Sequence, residues 1–270
     1  MPNTSKTRRA TAVTKLLGAI PNRLQLAGGW IDQPFVSKFN PKPPGSMVVV
    51  QIEPNFRPMN RSGIASSTRV FAMDLWNGRL PRRPKETLVR ELYYAENTYK
   101  AMPSGSQDMI GIIYPGINRL DYDIAHEGGV FPAHIESCTS PRIARWLERV
   151  LHLIPVEPRP EGYNPLEQKK LEPYLVQRLG QSGKDCFDAI AKMDVAALGK
   201  ALNLSLKCWD TMLPLSMRHT VVKLDLIELA QAYQQQYYGA TYSGPGGGYL
   251  IVVSDEIVPG SFTVNIRTGE

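Results

Sequence analysis

Near its C-terminal end the chain carries Gly244-Pro-Gly-Gly-Gly248 between two short β-forming runs, Ala240 to Ser243 and Tyr249 to Val253. A tight hairpin needs only one or two residues of unusual backbone conformation. Each glycine also costs up to about 1 kcal/mol relative to alanine, because it orders a more flexible unfolded chain. Four glycines in five residues exceed what a hairpin requires. The run predicts a backbone that something approaches closely, and a ligand is the reading it favours. A plain hairpin is the alternative.

The rest of the chain sets the fold class. Arg23 to Ala27 alternates as a strand does, and Met47-Val-Val-Val-Gln-Ile52 is rich in β-branched residues suited to a buried strand. Helical spacing begins at Ala65, with Val70, Phe71, Met73, Leu75 and Trp76 available to one face, and a second helix is expected over Glu86–Met102. Ile117–Ile124 and Val130–Glu136 read as strands. Helices are then expected over Pro141–Ile154, Pro165–Leu179, Lys184–Lys192, Val195–Cys208 and Val221–Tyr238, with Asp194 and Asn203 as punctuation. Ser261–Arg267 reads as a last strand, and Thr11–Ala19 as a short helix ended by Pro21. This order is α+β in two lobes, not the regular alternation of a doubly wound sheet.

Composition excludes several classes. With 270 residues, 43% of them hydrophobic, the chain can bury a sizeable core. Its three cysteines, Cys138, Cys186 and Cys208, are too few and too scattered for a disulfide framework or a structural zinc site. His134-Ile-Glu136 has the H-x-E of zinc deaminases without the partner P-C-x-x-C. No apolar run reaches the ~18 residues that span a bilayer, and the basic start lacks an apolar stretch, so a cytoplasmic protein without a signal peptide is expected. The 31 basic and 25 acidic residues give a net charge of +6, compatible with an anionic ligand. Two basic clusters, one of Lys6, Arg8, Arg9 and Lys15 and one of Arg82, Arg83 and Lys85, read as solvated segments. Basic and aromatic residues do not interleave as they do on base-stacking surfaces, so nucleic acid is not the expected partner.

Three further segments carry chemistry. In Arg23-Leu-Gln-Leu-Ala-Gly28-Gly29-Trp30-Ile-Asp32-Gln-Pro34, a strand delivers an arginine, a double glycine admits close approach, and Asp32 can accept hydroxyl hydrogen bonds from a polyol. A glycine-rich turn with a solvent-facing Asp is the alternative. In Arg61-Ser62-Gly63-Ile64-Ala65-Ser66-Ser67-Thr68, small and hydroxyl residues open a helix, where free N–H groups and the helix dipole bind phosphate. Ser67 or Thr68 could reach magnesium, and simple N-capping is the alternative. The segment is not a Walker A loop, since it lacks G-K-[ST]. In Ser104-Gly-Ser-Gln107-Asp108, an Asp at the start of a short apolar helix is either an N-cap or a base that orients a hydroxyl.

In this order these segments resemble the GHMP kinase superfamily, nearest to its L-fucokinase and D-glycero-D-manno-heptose-7-phosphate kinase branch. Ala27-Gly-Gly-Trp-Ile-Asp32-Gln-Pro34, Gly105-Ser-Gln-Asp108-Met-Ile-Gly111 and Gly239-Ala-Thr-Tyr-Ser-Gly-Pro-Gly-Gly-Gly248 stand where that family has its motifs, over roughly Arg23 to Val253. The resemblance implies a two-lobed fold, with a ribosomal-protein-like, ATP-binding lobe over residues 1–128 and a ferredoxin-like lobe over 129–270. It implies ATP and Mg2+ as cofactors and a sugar or sugar phosphate as the partner, phosphorylated at a hydroxyl, the anomeric one by analogy. Asp108 and Arg23 would be catalytic; Gly29, Trp30 and Asp32 would bind the acceptor. Ser62, Gly63, Ala65, Ser66, Ser67, Thr68, Ser243, Gly244, Gly246 and Gly247 would bind ATP, with Ser67 a magnesium ligand.

The sequence departs from the family pattern in the second motif, where Ala65 replaces a glycine and Arg69 a small apolar residue, and in the third, where Pro245 interrupts a shortened glycine run. A methyl group at Ala65 crowds a phosphate oxygen unless its backbone is helical. Arg57 and Arg61 add charge before the second motif and are candidates for a phosphate already on the substrate, or are solvated loop charges. A catalytically inactive nucleotide- or sugar-binding relative is the alternative to a kinase.

Overall fold

The computed structural model describes residues 19–100 and 102–269. The first basic cluster lies outside them, as does the helix expected from Thr11 except for Ala19. In chain order the first elements are β1 (Asn22–Ala27), α1 (Pro34–Ser37), β2 (Gly45–Ile52), α2 (Ser66–Leu75), α3 (Lys85–Asn97), α4 (Gln107–Ile113), β3 (Ile117–Tyr122) and β4 (His134–Cys138). There follow α5 (Pro141–Val150), β5 (Leu151–Pro155), α6 (Pro173–Lys192), α7 (Val195–Met212), α8 (Leu215–Arg218), α9 (Leu226–Gln236), β6 (Gly239–Tyr242) and β7 (Tyr249–Val253).

The valine-rich β2 organises the first sheet. All eight of its residues are buried, as in a central strand covered on both faces. β1 and β3 pair with it antiparallel and β4 pairs with β3, so the first sheet has the order β1-β2-β3-β4 and takes its last strand from beyond residue 128. The second sheet is antiparallel, in the order β5-β7-β6. Period-two alternation along β2 divides the core. Val48 and Val50 join Leu24, Leu147, Leu198 and Ile251 in one buried cluster. Met47 and Val49 join Leu92, Ile112, Tyr122 and Trp209 in the other. Each fully buried aliphatic side chain of this kind contributes roughly 1.5–3 kcal/mol. Among the described residues no helix is long and apolar enough to cross a membrane.

Several sequence expectations are corrected. The helix expected over Pro141–Ile154 stops at Val150, and Leu151–Pro155 is a strand paired with β7. A short apolar run is ambiguous by periodicity alone, and here an open strand edge decides it. Residues 165–172 are not helical, and the two helices expected over Pro165–Leu179 and Lys184–Lys192 are the single helix α6. The last strand, Ser261–Arg267, is reduced to isolated bridges from Phe262 to Leu153 and from Ile266 to Ile52. Asp194 does cap α7, accepting from Ala197 N at 2.9 Å. Asn203 is no punctuation: it lies inside α7, and its Oδ1 accepts from Ala240 N of β6.

Candidate active site

Arg23, the second residue of β1, points its guanidinium away from the strand toward the first turn of α4. Its Nη2 donates to Asp108 Oδ1, and its Nη1 donates to Gly63 O at 3.3 Å. The arginine is 4% exposed and the Asp108 side chain 17%. A desolvated pair of this kind holds its geometry because separating it strands a buried charge. The arginine stem crosses α4 at Gly111, where any Cβ would overlap Arg23 Cγ. Gly111 lies one turn after Asp108, so the helix that presents the carboxylate also provides the channel for its partner. Burial lowers the Arg23 pKa to about 9, Asp32 opposes the shift, and the charge of Arg159 adds to it. The guanidinium is still protonated at neutral pH.

Asp108 is not an N-cap. The cap position of α4 is Ser106, whose hydroxyl donates to Val130 O at 2.6 Å and lies 2.8 Å from Tyr122 OH. These bonds fix the loop that starts the helix. Asp32 is 3% exposed, packed so closely against Gly105 that a side chain there would occupy the position of Asp32 Oδ2. Burial raises its pKa to about 6, against the pull of Arg23 and of backbone hydrogen bonds from Asp32 and Trp30. The turn before it, with Trp30 at φ 80°, is held from behind by α7: Gly28 N donates to Ser205 Oγ at 3.1 Å, and Trp209 Nε1 donates to Gly29 O at 2.9 Å.

The second and third motifs meet each other. Ser243 Oγ donates to Ser62 O at 2.8 Å, and a Cβ on Gly63 would come within 2.7 Å of Gly244 N. The glycine run is therefore explained by protein contacts. Gly244 packs on Gly63, Gly246 under the Tyr163 ring, Gly247 against Glu157 O and Gly248 against Ser62 O. The clearance that the sequence assigned to a ligand is filled by these groups, and only Ser243, Gly244 and Pro245 of that run reach the cavity described below.

Ala65 occupies the cap position of α2 with φ 56° and ψ 33°, so the right-handed helical backbone required of it is absent, and no side chain caps the helix. The left-handed region costs a non-glycine residue about 1–2 kcal/mol, which exceeds the entropy advantage of alanine in the unfolded chain, roughly 0.4–1 kcal/mol. Ala65→Gly is therefore expected to raise the melting temperature by about 1–3 °C, read by calorimetry. An unchanged or lowered melting temperature would mean that the site carries no strain.

Arg23, Asp32 and Asp108 border one cavity of about 720 Å3. Its wall includes Arg23, Trp30, Asp32, Gly63, Asp108, Ser243 and Gly244 from the sequence motifs. It also includes Gln25, Lys100, Gln107, Arg159 and Tyr163, which sequence reasoning missed. Among the enclosed side-chain atoms that lack a hydrogen-bond partner are Arg23 Nε, Gln25 Nε2, Gln107 Oε1 and Arg159 Nε, all from residues of this wall. Buried polar groups are nearly always paired, so their concentration around one cavity marks a place for a polar ligand. Gly29, Ser62, Ala65, Ser66, Ser67, Thr68, Gly246 and Gly247 do not line it. Ser67 is exposed, and Thr68 Oγ1 is enclosed without a partner. Of the two loop arginines, Arg61 is on the wall and Arg57 is not.

No family model and no curated protein matches the chain. Solved structures do. Lactococcus lactis galactokinase complexed with galactose superposes with a TM-score of 0.63 at 14% identity, covering 93% of each chain. A mevalonate kinase gives a TM-score of 0.59 at 12% identity, over 92% of this chain and 98% of the other. A D-glycero-D-manno-heptose 1-phosphate kinase from Bacteroides thetaiotaomicron gives 0.57 at 13% identity, over 92% and 96%. The chain has the GHMP kinase fold. The match runs nearly end to end in both directions, so the GHMP kinase fold accounts for both sheets and the helices between them.

Proposed function

We propose that the chain is an ATP-dependent phosphotransferase acting on an alcohol, specifically on a hydroxyl of a sugar or sugar phosphate, with the anomeric hydroxyl and a sugar 1-phosphate product as the favoured case. The observation that carries the proposal is the convergence of Arg23, Asp32 and Asp108, from β1, the turn after it and α4, on one cavity with unsatisfied polar walls. Galactokinase with galactose and a heptose 1-phosphate kinase share the fold and support a sugar acceptor.

Asp32, buried and beside Trp30, accepts hydrogen bonds from the acceptor's hydroxyls. Asp108 orients the reacting hydroxyl and takes its proton as the new O–P bond forms and the bond to the leaving phosphate breaks. Arg23, paired with Asp108 and close enough to Asp32 for their charges to interact, sets its positive charge against the oxygens of the transferring group. Nucleotide phosphates fit a wall on which Arg23, Arg61, Lys100 and Arg159 outnumber Asp32 and Asp108. Magnesium fits less closely. Ser67 is exposed and off the wall, and no group of three acidic, His or Cys side chains suits a metal among the described residues. A magnesium ion here would therefore take most of its ligands from phosphates and water. The ion would neutralise phosphate charge there.

The left-handed Ala65 and the position of Ser67 off the wall favour a second reading, a non-catalytic relative that binds nucleotide or sugar in the same cavity. ADP release from Mg-ATP, followed against L-fucose, galactose, glucuronate, mannose, heptose 7-phosphate, mevalonate and homoserine, separates the two. The kinase reading expects turnover on a sugar or sugar phosphate. Nucleotide binding without turnover on any acceptor supports the second reading, and absence of both overturns the two together.

A further inference from the structure

Four cationic side chains line the cavity, and they fall into two classes. Arg23 is paired with Asp108, and Lys100 Nζ donates to Glu96 Oε1 at 2.6 Å and to Ser104 Oγ at 2.8 Å. Arg61 and Arg159 have no carboxylate partner among the described residues. Arg61 Nη2 donates only to Pro160 O, at 2.7 Å, and Arg159 Nε is enclosed with no acceptor. The two are held together, since Arg159 N donates to Arg61 O at 3.3 Å.

Their placement is fixed by the sequence. Arg159 sits in Pro158-Arg159-Pro160, where a following proline restricts its backbone to extended conformations. Arg61 holds φ 57°, at the entrance to the second motif. A Cβ on Gly244 would come within 2.9 Å of Arg159 Nη2, so the third motif leaves room for the guanidinium as well as for Gly63. Burial lowers the Arg159 pKa, and the neighbouring Arg61 lowers it further. Two guanidinium groups brought together without a counter-charge, one of them enclosed, are unfavourable until an anion arrives.

We propose that Arg159 and Arg61 form an anion subsite in this cavity that receives a phosphoryl group of the bound ligand, on the wall built by the second and third motifs. Planar guanidinium forks suit the paired oxygens of a phosphate. The phosphoryl group can come from the nucleotide or from an acceptor that is already phosphorylated. The subsite rests on the reading of this cavity as a ligand site but not on turnover.

The test uses the full chain in phosphate-free buffer at low ionic strength. Inorganic phosphate, MgADP, a hexose phosphate and the free hexose are titrated by calorimetry into the wild type, Arg159→Gln and, as a control for net charge, Arg57→Gln. The expected result is at least a tenfold loss of affinity for inorganic phosphate in Arg159→Gln, with Arg57→Gln unchanged. The unliganded melting temperature of Arg159→Gln should be equal to or above wild type, because an uncompensated charge has been removed. An accompanying loss for MgADP alone assigns the subsite to the nucleotide; a loss for the hexose phosphate but not the free hexose assigns it to the acceptor. The proposal is overturned if the wild type binds none of the phosphorylated probes, if Arg159→Gln binds them as wild type does, or if Arg159→Gln lowers the unliganded melting temperature. The last result would make Arg159 a structural residue.

Discussion

Asp108→Asn is expected to lower kcat by about 10²–10⁴, the usual contribution of a positioned general base, with little change in KM for Mg-ATP. The side chain keeps its shape and loses its ability to take a proton. It also loses its charge, and this has a second consequence. Arg23 is 4% exposed, and among the described residues its only ion pair is with Asp108. Removing one partner of a fully buried pair costs about 3–5 kcal/mol, and less here because Asp108 is partly exposed. The variant therefore melts below wild type, and its rate must be expressed per folded molecule, counted by nucleotide binding. A kcat within about tenfold of wild type on that scale, roughly 1.4 kcal/mol of barrier, would remove Asp108 from the chemistry.

Asp32→Asn is expected to act in the opposite direction on stability. The folded-state pKa of Asp32 is raised from 3.8 to about 6, chiefly by burial. A raised carboxylate pKa means that the folded protein holds the proton more tightly than the unfolded chain. The stability it contributes is fully present below the unfolded value and is lost as pH rises through the folded one. Two pKa units correspond to roughly 3 kcal/mol. At pH 7 the folded protein bears that cost of a buried anion, even with Arg23 nearby. Asn does not. Urea midpoints should therefore rise in Asp32→Asn at pH 7 and match wild type near pH 4, while acceptor turnover is lost. Equal midpoints at pH 7 would show that Asp32 is fully compensated in the folded state. The gain in stability with loss of function is the pattern of a charge kept for its ligand.

Much of this was legible in the sequence because it is local. The β-branched run at β2, the alternation of β1 and the Asp cap of α7 need no tertiary information. The motif residues Arg23, Asp32 and Asp108 could be named because their segments resemble GHMP kinase motifs, and the fold brings them to one cavity wall. What failed was decided by partners distant in sequence. Leu151–Pro155 is a strand because β7 pairs with it from about 100 residues away. The glycine run faces protein rather than ligand because the loop from Glu157 to Tyr163 and the second motif fold against it. Arg159 carried a signal that was passed over, a charged residue locked between two prolines. Trp209 and Ser205, which brace the first motif, carried none, since inside an amphipathic helix they read as ordinary face residues.

The contact between the second and third motifs also bears on how the protein is made. Ser62 and Ser243, joined by a hydrogen bond, are 181 residues apart. At ribosomal speeds of about 5–20 residues per second, the first leaves the synthesis centre roughly 10–40 seconds before the second. During that interval Arg23 and Asp108 are both made, but the part of the wall formed by Ser243, Gly244 and Pro245 is not. A nascent or truncated chain ending before Ser243 thus lacks that part of the wall and the central strand of the second sheet. Ligand capture becomes a property of a polypeptide made past Ser243, and binding of phosphate by newly made chains would report that the third motif has docked.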